Sequence, residues 1–308
     1  MNRLLMDLVS LRRLPGLPRG LLMFGLVAAC ALLNTGDAQD RTRPLTRTPA
    51  RTRPAAAAND NEAAGDIATD DKNTAKKVSA PLTLPELIDY AEPSRKAMEE
   101  VKDYTAVFSK TELVNGRIVK QMMDMKFRAK PFSVYFKYRS GPEQGRQAIY
   151  VEGKFGNKLV VKEANGIGAL AGRLTFDLND RTVMAENRYP VTNVGIGNLL
   201  KTALTVWERE SKLEAAEVDV LFFPNAKLGE LPVEAVQLTH RKPLRDVKYH
   251  MSRVYFDKET KLPLRAERYA WPRQKGEKPP LVEDYIYTNL KTNVNLTDAH
   301  FDPARYGF

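Results

Sequence analysis

The sequence predicts an α+β domain, a strongly curved antiparallel sheet (an unclosed β-barrel) with two or three helices across its concave face. Three observations carry this reading. Apolar and polar residues alternate with a period of two from Tyr104 to Leu290, broken at short intervals by turn residues. Helical spacing is kept in only two long stretches, one before the first strand and one within the series. The chain has 308 residues, 43% of them hydrophobic and 28% charged, enough for one substantial core. A single Cys excludes a disulfide scaffold and a Cys-based zinc site, and three His leave little for metal binding.

The first element is an export signal, residues 1–38. Arg12, Arg13 and Arg19 precede an apolar run of 13 residues from Leu21 to Leu33. That is shorter than the roughly 20 residues of a membrane-spanning helix and matches the n- and h-regions of a secretory signal. Gly36-Asp37-Ala38 supplies small residues for cleavage before Gln39. A second reading ends the signal at Cys30, because Val27-Ala28-Ala29-Cys30 resembles a bacterial lipobox whose Cys is lipidated. Ala31-Leu32-Leu33, which continues the apolar run, argues against it.

Residues 39–80 read as a disordered basic and polar linker, with too few large apolar side chains to offset ordering entropy. Its arginines, Arg41, Arg43, Arg47, Arg51 and Arg53, are candidates for contact with an anionic membrane surface. A solvated spacer is the plainer reading. Nucleic acid is not an expected partner, since export removes it and no aromatic residues interleave the arginines. The formal charge is +10 overall, of which residues 81–308 keep 36 Lys+Arg against 30 Asp+Glu.

The folded domain, residues 81–308, opens on Thr83-Leu84-Pro85-Glu86, a capping box followed by apolar residues at helical spacing. Pro93 leaves one kinked helix or two short ones. After Lys102 the period changes to two, and Asn115-Gly116 marks a type I′ hairpin turn. Val119, Gln121, Met123, Met125 and Phe127 then share one strand face, and Phe132, Val134, Phe136 and Tyr138 the next. Ile149–Val151, Leu159–Val161 and the alternating Leu174, Phe176 and Leu178 extend the meander. Ile196, Leu199, Leu200, Ala203, Leu204 and Trp207 recur at helical spacing, with charges at Lys201, Glu208, Arg209 and Glu210, predicting an amphipathic helix over 193–213 that covers the sheet. Strands resume over 218–223, 233–239, 249–256, 264–271 and 281–290.

Catalytic signals are few. Gly166-Ile167-Gly168-Ala169-Leu170-Ala171 fits a dinucleotide fingerprint, but strand-like residues follow it, so a glycine-rich loop between strands is the expected structure. His240 and His250 lie in or beside separate strands and read as satisfied or surface histidines. No catalytic residue, cofactor site or metal site can be named. The remaining lead is a methionine–aromatic face, whose candidate cavity residues are Met123, Met125, Phe127, Phe132, Val134, Phe136, Tyr138, Leu174 and Phe176. Plain hydrophobic core is the competing reading.

Several segments resemble known bacterial families. Val101–Phe108, the Asn115-Gly116 turn, Met125–Phe136, Tyr150-Val151-Glu152-Gly153, the Phe256–Leu264 hairpin and the ending Leu296–Asp302 look like domain-of-unknown-function family 1571. Their order also resembles the LolA/LolB lipoprotein-carrier superfamily. The resemblance spans about residues 85–308 and implies an eleven-stranded half-barrel closed by helices, holding a lipid or acyl group and no cofactor.

The expected function is thus an exported protein of the bacterial periplasm or outer membrane that binds a lipid or acyl chain. One alternative is an envelope sensor or scaffold whose sheet is filled by its own helices. Another is a hydrolase, which would need polar groups converging on His240 or His250. A cavity of several hundred cubic ångströms on the concave face would favour binding.

Overall fold

The computed structural model describes residues 81–213, 218–245 and 247–308. The segments expected to be an export signal and a basic linker, with Cys30, lie outside them. Among the described residues no helix is long and apolar enough to cross a membrane.

Eleven strands form a single antiparallel sheet. They are β1 (Asp103–Val114), β2 (Arg117–Arg128), β3 (Ser133–Tyr138), β4 (Gln147–Val151), β5 (Leu159–Lys162), β6 (Arg173–Phe176), β7 (Val218–Leu228), β8 (Leu231–His240), β9 (Met251–Asp257), β10 (Pro263–Tyr269) and β11 (Leu281–Thr292). Their order across the sheet is β6-β5-β4-β3-β2-β1-β11-β10-β9-β8-β7. Two meanders, β1–β6 and β7–β11, are therefore joined where the first strand meets the last, with Phe108 opposite Tyr287 and Glu112 opposite Glu283. β6 and β7 stay at opposite edges, so the sheet does not close.

Local chemistry sets the turns. Asn115 and Gly116 both take positive φ, as the predicted type I′ turn requires. The β9–β10 turn is held by Asp257 Oδ1, which accepts from the Glu259 and Thr260 amides and the Thr260 hydroxyl. Two of the expected turns and helices differ in detail. The glycine-rich segment after β5 is not a loop throughout: Gly166–Leu170 makes a short helix, α2, between the antiparallel neighbours β5 and β6. That pairing rules out the parallel βαβ setting of a dinucleotide site. Arg181–Met184 forms one turn, α3, started by the Asp180 side chain accepting from Thr182.

Two longer helices cover the concave face. α1 (Leu84–Glu99) is one helix, continuous through Pro93, and its N-terminus carries the predicted capping box between Thr83 and Glu86. It buries Leu84, Leu87 and Ala91, and Tyr90 packs edge-on to Phe256 at 5.7 Å. α4 (Ile196–Glu210) is shorter than the expected 193–213 and buries Ile196, Leu199, Leu200, Ala203, Trp207 and Glu210. Its first turn has no side-chain N-cap of its own. Instead two sheet tyrosines accept its leading amides: Gly195 N–H donates to the Tyr287 hydroxyl at 3.0 Å, and Ile196 N–H to the Tyr104 hydroxyl at 3.2 Å. Gly195 has φ +115°, and a Cβ there would stand 2.9 Å from the Phe127 ring, so only glycine lets the helix start this close to the sheet.

Candidate functional site

A cavity of about 350 Å³ lies between α4 and the concave face of the sheet. Every strand from β5 to β8 in the sheet order contributes to its wall, from Leu159 and Ala148 through Phe108 and Tyr287 to Leu238 and His240. α4 supplies the opposite wall with Leu199, Ala203, Val206, Trp207 and Glu210. The segment from Asn187 to Val194, together with Lys248 and Tyr249, completes the lining.

The nine cavity residues expected from sequence divide into groups. Met123, Phe136 and Tyr138 line this cavity. Phe127 and Phe132 line a separate, more open groove of about 560 Å³ bounded by α1, α4 and β2. Met125 and Val134 are buried in the same apolar core but line neither space, and Leu174 and Phe176 on β6 pack half-buried against that core. The shared strand face is real, but the cavity uses only part of it: the α4 start closes over Phe127, and Met125 and Val134 are packed in the core.

Polar residues converge on the cavity that periodicity did not select. Glu283, fully buried on β11 and held by the lining residues Tyr189, Tyr249 and Arg268 without lining the cavity itself, is the best partnered. It accepts from Arg188 Nε at 3.0 Å, the Tyr189 hydroxyl at 2.7 Å and Arg268 Nη1 at 2.5 Å, and from the Tyr249 hydroxyl. Burial works to raise its carboxyl pKa, but the Arg268 guanidinium and the Tyr249 and Tyr189 hydroxyls together hold it below the ordinary range. Burial and the Glu283 charge push the Tyr249 hydroxyl far up. Directly opposite Glu283, on β1, Glu112 accepts from Lys110 Nζ at 3.0 Å, the Arg188 amide at 3.2 Å and the Tyr285 hydroxyl at 2.6 Å. Lys110 also donates to the Glu186 carbonyl at 3.0 Å and to Asn187. These groups fasten the 186–189 segment to the sheet and so fix one lip of the cavity. Lys248 sits over the Tyr189 and Tyr249 rings at 5.2 and 5.0 Å.

Glu210 and His240 form a second buried polar group, at the α4 C-terminus and the end of β8. Sequence reasoning placed Glu210 among the outward charges. The structure corrects this: Glu210 follows Trp207 by three residues, continues the buried stripe, and is 2% exposed. The signal was present in the spacing. Beside them Trp271 stacks obliquely on His250, ring centroids 4.7 Å apart. Polar groups thus do meet around His240, though His250 is only partly buried and does not line the cavity. Among the described residues no group of three or more His, Cys, Asp or Glu is placed to hold a metal ion.

Comparison with curated proteins gave no significant match. Solved structures give looser likenesses. A DUF1329 family protein from Desulfovibrio piger aligns over 72% of this chain and 98% of its own at 13% identity, TM-score 0.34. The lipoprotein LppX of Mycobacterium tuberculosis aligns over 69% and 99% at 15% identity, TM-score 0.40. A LolA superfamily protein from Nitrosomonas europaea aligns over 72% and 98% at 12% identity, TM-score 0.27. Likeness this loose says nothing of ligand or partner, and the architecture stands on the chain's own strand order. The family assignment is firmer, since the model described as protein of unknown function (DUF1571) matches residues 101–308. The chain belongs to that family.

Proposed function

We propose that this is an exported protein of the bacterial envelope that binds a lipid or acyl chain between α4 and the concave sheet face. The observation that carries the reading is the cavity itself. A space of about 350 Å³ remains beneath α4, within the size range of small-molecule sites, and Met123, Phe136, Leu199, Val206 and Trp207 give it an apolar wall. Each methylene moved from water into such a wall contributes about 0.8 kcal/mol. Export rests on the N-terminal signal, and Cys30, if lipidated, would tether the domain to a membrane; stable anchoring would then draw on several acyl chains or on the neighbouring arginines.

Native mass spectrometry of the full chain purified from a bacterial envelope, with lipid extraction of the same sample, tests the reading. A stoichiometric phospholipid or acyl adduct is the expected result. Val206→Trp, at a half-buried α4 position facing the cavity, should abolish the adduct while leaving the chain folded. An apo mass unchanged by added lipid would sink the proposal and turn attention to protein partners.

The Glu210–His240 pair favours hydrolysis as a second reading, because a carboxylate beside an imidazole is the arrangement of a general base. Neither ring nitrogen of His240 has a hydrogen-bonded hydroxyl among the described residues, so no nucleophile is in place, and we rank binding first. Turnover of a p-nitrophenyl acyl ester by the full chain, lost in His240→Phe, would reverse that ranking.

A further inference from the structure

Glu210 and His240 are the least satisfied buried groups of the cavity wall. Both line the cavity and both are more than nine-tenths buried, at 2% and 3% exposed. Arg209 Nη2 reaches Glu210 Oε1 at 3.4 Å. Glu210 Oε2, His240 Nδ1 and His240 Nε2 have no hydrogen-bond partner among the described residues. The ring Nε2 stands 3.2 Å from Oε2, close enough for an ion pair but not aligned for a hydrogen bond. Even a ring rotation that joined those two atoms would leave Nδ1 without a partner. Buried polar atoms are nearly always paired, so three orphaned atoms on two neighbouring residues of the cavity wall mark a place for something else.

The donor inventory narrows what that is. An ionised carboxylate only accepts, and a neutral imidazole offers one donor and one acceptor. An anionic head would meet the Glu210 carboxylate at close range and be repelled. A quaternary ammonium has no hydrogen to give and no lone pair to receive. A hydroxyl has both on one atom: it donates to Glu210 Oε2 and accepts an imidazole N–H. Trp207 and Leu238 stand beside the pair to receive the methylenes next to that hydroxyl.

We propose that Glu210 and His240 form a polar-head subsite at the β8 end of the cavity, and that its occupant is an amphiphile carrying a hydroxyl on an aliphatic chain. This rests on the acyl-binding reading of the same cavity, and it adds the head group and its orientation.

Calorimetric titration of the full chain with 1-decanol and with decyl methyl ether separates the two ideas. The ether keeps the chain and the acceptor oxygen but cannot donate. A hydrogen bond to a charged acceptor corresponds to about a tenfold preference or more for the alcohol. Glu210→Leu should bring the two ligands to within about twofold while ether binding persists, and His240→Phe, which removes a donor both oxygens can use, should weaken both together. Thermal melting without ligand checks that the variants fold, and Glu210→Met, which keeps the side-chain length without a carboxyl or amide oxygen, replaces the leucine variant if it does not. Equal binding of alcohol and ether by the native chain would overturn the subsite and leave the cavity reading intact. A preference that survives Glu210→Leu would also overturn it, because the hydroxyl would then bind elsewhere. Failure of both ligands to bind would remove the cavity reading and the subsite together.

Discussion

Glu283 and Glu210 are two carboxylates buried on the same side of the same sheet, and they are treated in opposite ways. Glu283 is surrounded by two guanidinium groups and two tyrosine hydroxyls, all within hydrogen-bond reach. Glu210 has one arginine contact at 3.4 Å and an oxygen that lies 3.2 Å from His240 Nε2 without a hydrogen bond. A fully paired buried network fixes geometry, whereas an incompletely paired one costs stability and persists only where something else is gained. The first pair of partners therefore reads as architecture, holding the 186–189 segment and Tyr249 in place at the cavity lip. The second reads as a site.

Removing the centre of the satisfied network should give the largest effect. Glu283→Ala leaves Arg268 and Arg188 facing each other without their shared anion, and breaking a buried pair in this way costs about 3–5 kcal/mol. Chemical denaturation of native chain and variant measures it. A loss below about 1 kcal/mol would mean that the network is dispensable and that the contrast with Glu210 is empty. The same carboxylate should also show in acid. Its pKa is lowered by folding, so its contribution is present above the unfolded value near 4.5 and is lost as pH falls through the folded value. The stability gap between native chain and Glu283→Gln should accordingly narrow below about pH 4.5. A gap that stays constant through that range would contradict the lowered pKa.

A smaller effect follows from trimming one arm. Tyr249→Phe removes a hydroxyl donated to a charged acceptor while leaving the ring under Lys248. About 1.5–3 kcal/mol is expected from loss of that bond, again by denaturation, and less than the cost of Glu283→Ala.

Much of the fold is legible in the sequence, the contrast between the two carboxylates is not, and the difference has a physical reason. Period-two alternation gave the strands, and the Asn115-Gly116 and Asp257–Lys261 turns gave their connections, because both signals are local. The pairing of β1 with β11 joins residues nearly two hundred positions apart, and no local pattern encodes it; it entered only as an implication of family resemblance. The cavity was partly legible for the same reason. Met123, Phe136 and Tyr138 could be assigned to an apolar face, but whether that face is filled depends on where α4 lands, which Gly195, Tyr104 and Tyr287 decide across the fold. Glu210 was misplaced because a carboxylate was assumed to belong to the wet face of its helix. Its three-residue spacing from Trp207 outweighed its charge.

The smallest expected change is the one that sharpens the comparison most. Glu210→Gln keeps volume and rotamer and replaces a buried carboxyl whose polar contacts among the described residues are the exposed Arg209, at 3.4 Å, and His240 Nε2, 3.2 Å away without a hydrogen bond. Deleting one half of a satisfied pair exposes the full desolvation cost of the other half, but here the other half is His240 Nε2, to which the Gln amide still offers either a donor or an acceptor. The variant should therefore fall within about 1 kcal/mol of the native chain, and could exceed it in stability. Equilibrium denaturation without ligand decides the point. A loss of the size predicted for Glu283→Ala would show that Glu210 is pinned by His240 as firmly as Glu283 is by its arginines. The two carboxylates would then serve the same structural purpose.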